Sequence, residues 1–143
     1  MTTKGARRWN EAKFTKWFCR CIEKNNGMTH AIVGNAMSRG GWPDRYIAHI
    51  KWSGFIEFKA GDNRLSEIQQ KILKGLKARG VNVFVVVFRN KDFFEFRHVN
   101  GKILASFDLL PWIGREAEAG KMLLDTMVRI NDMKTFKESP IMR

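Results

Sequence analysis

Apolar residues follow a helical spacing in three segments of the chain, at 8–24, 66–79 and 115–132. In the first segment the apolar positions are Phe14, Trp17, Phe18, Cys21 and Ile22. Side chains at this spacing fall on one face, because an α-helix repeats about every 3.6 residues. The pattern therefore predicts three amphipathic helices, each with one face against a core.

Two neighbouring segments show the alternation of a β-strand. Residues 44–50 and 54–60 place apolar and polar side chains on opposite faces, and the tight turn between them predicts an antiparallel pair. The segment 29–37 is ambiguous. It fits either a short strand at 30–33 or an irregular connection.

The second half of the sequence predicts a buried strand followed by a hairpin. Residues 81–88 are nearly all β-branched or aromatic, which is typical of a strand buried on both faces. Residues 93–99 and 102–106 flank Asn100-Gly101, a strong hairpin signal. The complete order predicts an α/β fold, in which helices flank a mixed central sheet.

Length and charge narrow the possible partners. The 143 residues favour one domain, which we place at 1–133, with a basic arm at 1–8 and a flexible tail at 134–143. A formal net charge of +12 favours a polyanionic partner, most simply nucleic acid. The alternative is a basic protein that its charge merely keeps in solution.

The sequence also bears on where the protein works. It has no apolar run typical of a signal peptide or a membrane span, which predicts no membrane partner. Cys19 and Cys21 point in nearly opposite directions on a helix and are typical of free thiols in a reducing compartment. We expect a cytoplasmic or nucleoid-associated protein of a bacterial or phage-infected cell, not a secreted one.

The strand at 54–60 carries the candidate chemistry. Glu57 and Lys59 share one face of it, while Ile56 and Phe58 take the other. Asp44 lies upstream on a segment that can return beside Glu57 as a hairpin. Two converging carboxylates suit a divalent cation with oxygen ligands, and an ammonium group suits a phosphate. This combination indicates a metal-dependent nuclease.

Two further polar residues lie on apolar helix faces. Glu11 shares the stripe of the first helix, so it is either a first-turn carboxylate favoured by the helix dipole or a part of the site. Gln69 lies on the stripe of the second helix, where it either hydrogen-bonds to backbone groups or supports the site.

These residues carry a family resemblance. The segments G-W-P-D and F-I-E-F-K-A-G-D-N-R-L-S-E-I-Q, followed by a helix and a valine-rich strand, resemble the PD-(D/E)xK nuclease superfamily. Within it, the chain is most similar to the VRR-NUC (virus-type replication-repair nuclease) family, over roughly residues 11–88. The resemblance implies a restriction-endonuclease-like αβββαβ core and an Mg²⁺-dependent (or Mn²⁺-dependent) endodeoxyribonuclease.

The resemblance also implies roles for the site residues. Asp44, Glu57 and the backbone carbonyl of Phe58 are expected to bind the metal, and Glu11 is a further candidate through water or a second ion. Lys59 is expected to orient the attacking water or stabilise the phosphate. Gln69 is expected to hold Lys59 or that water. The candidate DNA contacts are Arg7, Arg8, Lys13, Arg39 and Arg45.

The expected substrate follows from the same family. Its stand-alone members resemble dimeric junction resolvases, which implies branched DNA (a Holliday junction or a flap) in replication, recombination or repair, and a homodimer. The last helix or the 93–106 hairpin is a candidate dimer contact. Two alternatives are a restriction-type enzyme that cuts a defined duplex sequence, and a basic DNA-binding module without catalysis.

Overall fold

A computed structural model describes residues 9–32, 40–89 and 93–137, with side chains through residue 131. Three candidate DNA contacts, Arg7, Arg8 and Arg39, lie outside the described residues, as do the arm at 1–8 and the end of the tail at 138–143. Within the described part of the chain, no helix combines the length and apolar character needed to cross a lipid bilayer.

The fold is a six-stranded sheet with helices on both faces. Its elements are α1 (Glu11–Glu23), β1 (Met28–Ala31), β2 (Arg45–Ala48), β3 (Gly54–Ala60), α2 (Glu67–Ala78), β4 (Val83–Phe88), β5 (Phe93–Arg97), β6 (Ile103–Asp108), a 3₁₀ helix (Leu110–Trp112) and α3 (Glu116–Lys137). The strands lie side by side in chain order. Only β3 and β4 are parallel, joined through α2, and the other neighbours are antiparallel. The mixed sheet and the αβββαβ core are confirmed.

Several element ends differ from the prediction, for local reasons. Asn10 caps α1 by accepting a hydrogen bond from the Lys13 amide, so the helix begins at Glu11 rather than at residue 8. Strand β2 stops before His49, because Ser53 bonds both backbone groups of His49 and turns the chain.

Two other predictions are settled by the structure. The ambiguous segment after α1 forms a short strand, β1, which pairs antiparallel with β2. The last helix continues to Lys137 instead of ending at Asp132, so part of the predicted tail is helical.

The sheet separates two cores of different size. The larger core lies between the sheet, α1 and α3, and among its buried members are Phe14, Trp17, Phe18, Ile56, Phe58 and Phe84. The smaller core lies under α2 and contains Leu73, Val83, Val85, Val87 and Val99. All residues of β4 are buried, as its apolar sequence predicts. Polar residues of β3 that point away from the large core therefore face α2.

Close contact between α1 and α3 depends on Gly120. A Cβ atom at Gly120 would overlap the carbonyl oxygen of Cys21 and the side-chain amide of Asn25. That amide cannot easily move, because it donates to Cys21 O at 3.0 Å and to Ala117 O at 2.9 Å. The glycine therefore sets how near the two helices lie.

We expect Gly120→Ala to lower the free energy of unfolding by about 1–3 kcal/mol, since the helices must separate to admit the methyl group. The midpoint of urea unfolding measures this loss. Gly75→Ala is the matched control, because a Cβ there meets only the flexible Arg79 side chain, at 3.4 Å. Removing a glycine inside a helix should raise stability by about 0.5–1 kcal/mol. Equal midpoints for the two variants would contradict the close packing at Gly120.

Candidate active site

The candidate site lies where β3 faces α2. The β3 side chains alternate as predicted, so Ile56 and Phe58 enter the large core while Glu57 and Lys59 lie on the opposite face. Lys59 Nζ is 3.8 Å from Glu57 Oε2. The Glu57 side chain is only 3% exposed and the Lys59 side chain 18%, so this ion pair lies in a partly dehydrated space.

Asp44 reaches β3 from the end of β2. The hydrogen-bonded pairing of the two strands ends with Arg45 and Ile56, so it does not include Asp44, the residue that precedes Arg45. Beyond it, Asp44 Oδ2 accepts a hydrogen bond from the Phe58 amide at 2.8 Å. The N–H and C=O of a strand residue point to the same side of the strand. The Phe58 carbonyl therefore points toward the Asp44 side, where the resemblance implies a metal ligand.

Gln69 links the start of α2 to Glu57. Its Oε1 accepts from the Ser66 amide at 2.9 Å, and the Ser66 hydroxyl accepts from the Gln69 amide at 3.2 Å, which together form a capping box. Its Nε2 donates to Glu57 Oε2 at 3.0 Å. The sequence predicts Lys59 or a water as the partner of Gln69. In the structure the partner is Glu57, since the cap turns the NH₂ group toward that carboxylate.

The carboxylates of the site influence one another electrostatically. Burial, followed by the negative charge of Asp44, raises the pKa of Glu57 to about 8, and Glu11 acts in the same direction. Burial also raises the pKa of Glu11, as does Asp44, whereas Lys59 lowers it. Glu11, Asp44, Glu57 and Lys59 are therefore close enough to influence one another electrostatically, and their roles in a site stay predictions.

The site fits a divalent cation by its donor chemistry. Glu57 Oε1 is buried and has no hydrogen-bond partner among the described residues. A buried oxygen without a partner is costly, and a cation would satisfy it. Within the described ranges, no group of three or more His, Cys, Asp or Glu side chains is arranged to hold a metal by itself. Asp44 and Glu57 would therefore hold a cation together with the Phe58 carbonyl and water.

Comparison with known proteins shows similarity to solved structures but not to known sequences. No known family and no curated protein matches the sequence. Among solved structures, the chain is similar to Archaeoglobus fulgidus Hjc, a Holliday junction resolvase from an archaeal hyperthermophile. The two are 16% identical with a TM-score of 0.49, and the match covers 70% of this chain and 91% of that chain. Membership of the VRR-NUC family stays a prediction from the motifs.

The two described candidates for DNA contact lie on the α1 side of the sheet, whereas Glu57 faces α2. Lys13 lies on α1, with its ammonium 5.4 Å from the centre of the Trp9 ring. Arg45 lies on the α1 side of the sheet, because it pairs with core-facing Ile56 and contacts Cys19. Arg45 also donates to its neighbour's backbone, Asp44 O, at 3.3 Å.

A second acid–base pair went unnoticed in the sequence. Strand β5 reads F-F-E-F-R, which repeats the F-I-E-F-K of β3, and its Glu95 and Arg97 share the face that points toward α2. Arg97 lines a cavity that also contains Lys59. The repeated pattern of acid, phenylalanine and base was the signal that could have revealed it.

Proposed function

We propose that this protein is an Mg²⁺- or Mn²⁺-dependent endodeoxyribonuclease that hydrolyses phosphodiester bonds in branched DNA. The observation that carries the proposal is the convergence of Asp44, Glu57 and Lys59, with one buried Glu57 oxygen left without a partner. Structural carboxylates normally have all buried oxygens paired. An incomplete shell beside an ammonium group favours a role in binding a cation and a phosphate.

Each side chain has a definable task in this reaction. Asp44 and Glu57 would hold the cation, which would supply Lewis acidity and a more acidic water. Lys59 lies beside Glu57 and is positioned to orient the attacking water or to stabilise charge on the phosphate. Gln69 fixes Glu57 through the bond to Oε2, which leaves the buried Oε1 to accept a cation. Glu11 adds negative charge nearby.

The net charge of the protein supports DNA as the substrate, and its sequence motifs support branched DNA in particular. A net charge of +12 on 143 residues suits a phosphate backbone. The P-D and E-x-K motifs resemble those of replication-repair nucleases. A homodimer forms part of the proposal, because two sites related by symmetry would address the two sides of a branch point.

A cleavage panel tests the proposal. Labelled four-way junction, flap, splayed and linear duplex DNAs are incubated with the protein in Mg²⁺, in Mn²⁺ and in excess EDTA. We expect cutting with either metal, none in EDTA, and faster cutting of the branched substrates. No cutting of any substrate with either metal would overturn the nuclease proposal. Equal rates on linear and branched DNA would overturn the preference for branches and leave the hydrolysis in place.

A further inference from the structure

A cavity of about 500 Å³ opens beside Lys59 on the α2 side of the sheet. Val85 and Val87 of β4 form its floor. One wall is the segment 61–65, which follows β3, and the opposite wall is the segment 97–101, at the turn between β5 and β6. We call this space the basic trough, because of the cations described below.

The register of the sheet places the trough next to the candidate site. Val85 lies opposite Glu57 on one side and opposite Arg97 on the other, and Val87 lies opposite Lys59. Glu57 and Arg97 therefore occupy one row across the sheet, two strands apart. Strands are spaced by about 4.8 Å, which puts their backbones about 10 Å apart. The small valine between them leaves the space open.

Arg97 is held rigidly at the trough wall by a buried acid. Its Nη2 and Nε both bond Glu95 Oε1, at 2.6 Å and 2.9 Å. The Glu95 side chain is 9% exposed and the Arg97 side chain 27%. These bonds use two of the five N–H donors of a guanidinium group, which leaves a fork suited to phosphate oxygens. An arginine fixed in this way loses little side-chain freedom when a ligand binds.

Further cations face the same space. Among the described lining residues are Lys59, Arg64, Arg89 and Arg97, against a single acid, Asp62. Arg89 bonds Gly61 O at 2.7 Å and Asp62 Oδ1 at 3.2 Å, which braces the segment at 61–65. A structural ion pair with Glu95 would explain Arg97 alone. The bonds to Gly61 and Asp62 would explain Arg89 in the same way. Neither pairing explains why Arg64 lines the same cavity.

We propose that the basic trough binds a backbone phosphate of the strand being cut, with Arg97 as the principal contact and Arg64 at the rim. The inference rests on the proposed function, because it takes the scissile phosphate to lie at Glu57 and Lys59. At about 3.4 Å of helix axis per nucleotide, a separation of about 10 Å corresponds to a phosphate at most about three nucleotides away. The trough would thus fix the direction in which the strand crosses the site.

The test measures binding in a background that carries Glu57→Gln, so that bound DNA stays intact. Arg97→Gln and Arg64→Gln are compared with Arg115→Gln, an equal loss of charge at a side chain that is 53% exposed beside α3, on the other side of the sheet. The affinity for labelled branched DNA is measured over a range of salt concentrations. Loss of one phosphate contact lowers the slope of log K against log salt by about 0.7–0.9.

We expect Arg97→Gln to show this drop in slope and about tenfold weaker binding at low salt, with a smaller loss for Arg64→Gln and none for Arg115→Gln. Because Arg97→Gln leaves Glu95 buried without its cation, the double variant with Glu95→Gln is measured as well, beside the urea midpoint of each protein. The same slope change in the double variant would assign the effect to the lost phosphate contact. Equal losses for Arg97→Gln and Arg115→Gln would overturn the site, since only general charge would then matter.

Substrates with a single neutral methylphosphonate linkage locate the contact. One such linkage, within about three nucleotides of the cut, should abolish the difference in affinity between the protein that retains Arg97 and the Arg97→Gln variant. Inorganic phosphate and a nucleoside monophosphate are added as competitors. If either compound binds tightly and DNA does not displace it, the trough is a site for a small free ligand and the proposal is overturned. If the wild-type protein cuts nothing while the Arg97 effect persists, the nuclease proposal fails and the phosphate site stands.

Discussion

Glu57→Gln should abolish DNA cutting, with a fall in rate of at least about a thousandfold, while DNA binding is retained. The substitution preserves the size of the side chain and a group that can accept from Gln69 Nε2, which lies 3.0 Å from Glu57 Oε2. It removes the negative charge that a divalent cation requires. Single-turnover cleavage of the best substrate in Mg²⁺ measures the rate, and a gel-shift titration measures binding.

The control for this prediction is Glu118→Gln. It removes the same charge from a side chain that is 60% exposed, against 3% for Glu57. We expect wild-type cutting from this variant. If Glu57→Gln retained more than about a tenth of the wild-type rate, the chemistry would have to lie elsewhere in the chain.

In the metal-free protein, the free energy of unfolding should fall as pH rises from about 4.5 to about 8. The pKa of Glu57 is raised from 4.5 to about 8 in the folded state, with burial as the main cause. Between these values the folded protein binds more protons than the unfolded chain, so rising pH favours unfolding. One pKa unit corresponds to about 1.4 kcal/mol, so the difference between 4.5 and about 8 gives a total loss on the order of 5 kcal/mol.

Urea unfolding in EDTA at several pH values measures this loss. Glu57→Gln should remove most of the pH dependence, and at pH 8 it should be more stable than the wild type, because it buries no charge. Mg²⁺ or Mn²⁺ should restore wild-type stability at pH 8 but have little effect on the variant. A wild-type protein whose stability rose over this pH range would contradict the buried, charge-crowded environment of Glu57.

The sequence predicted those parts of the fold that local pattern determines. Strand β3 begins and ends as predicted. Its apolar and polar side chains alternate regularly, Gly54 begins it, and Gly61 follows its last residue. Strand β1 is ambiguous in the sequence because it is short and mostly exposed. It therefore shows no alternation of apolar and polar residues that would predict a strand. The end of α3 is predicted too early. No glycine or proline lies between Asp132 and Lys137, so the helix continues through this polar segment.

The sequence predicts the neighbours in the candidate site only where they lie on one strand or on the hairpin that contains it. The period of two places Glu57 and Lys59 together, and a hairpin returns Asp44 to them. The partner of Gln69 depends on which way its amide is turned, which the cap at Ser66 decides. The position of Arg97 depends on the register of β3, β4 and β5, which local sequence does not specify.

The shared use of Gln69 restricts how this protein can evolve. The Gln69 side chain both caps the start of α2 and donates a hydrogen bond to Glu57. Few other side chains could do both. Glutamate would keep the helix start but set like charges against each other, and asparagine is one methylene shorter. Under the proposed function, a variant with a different metal preference would be expected to differ at Asp44 or Glu57 and to keep Gln69.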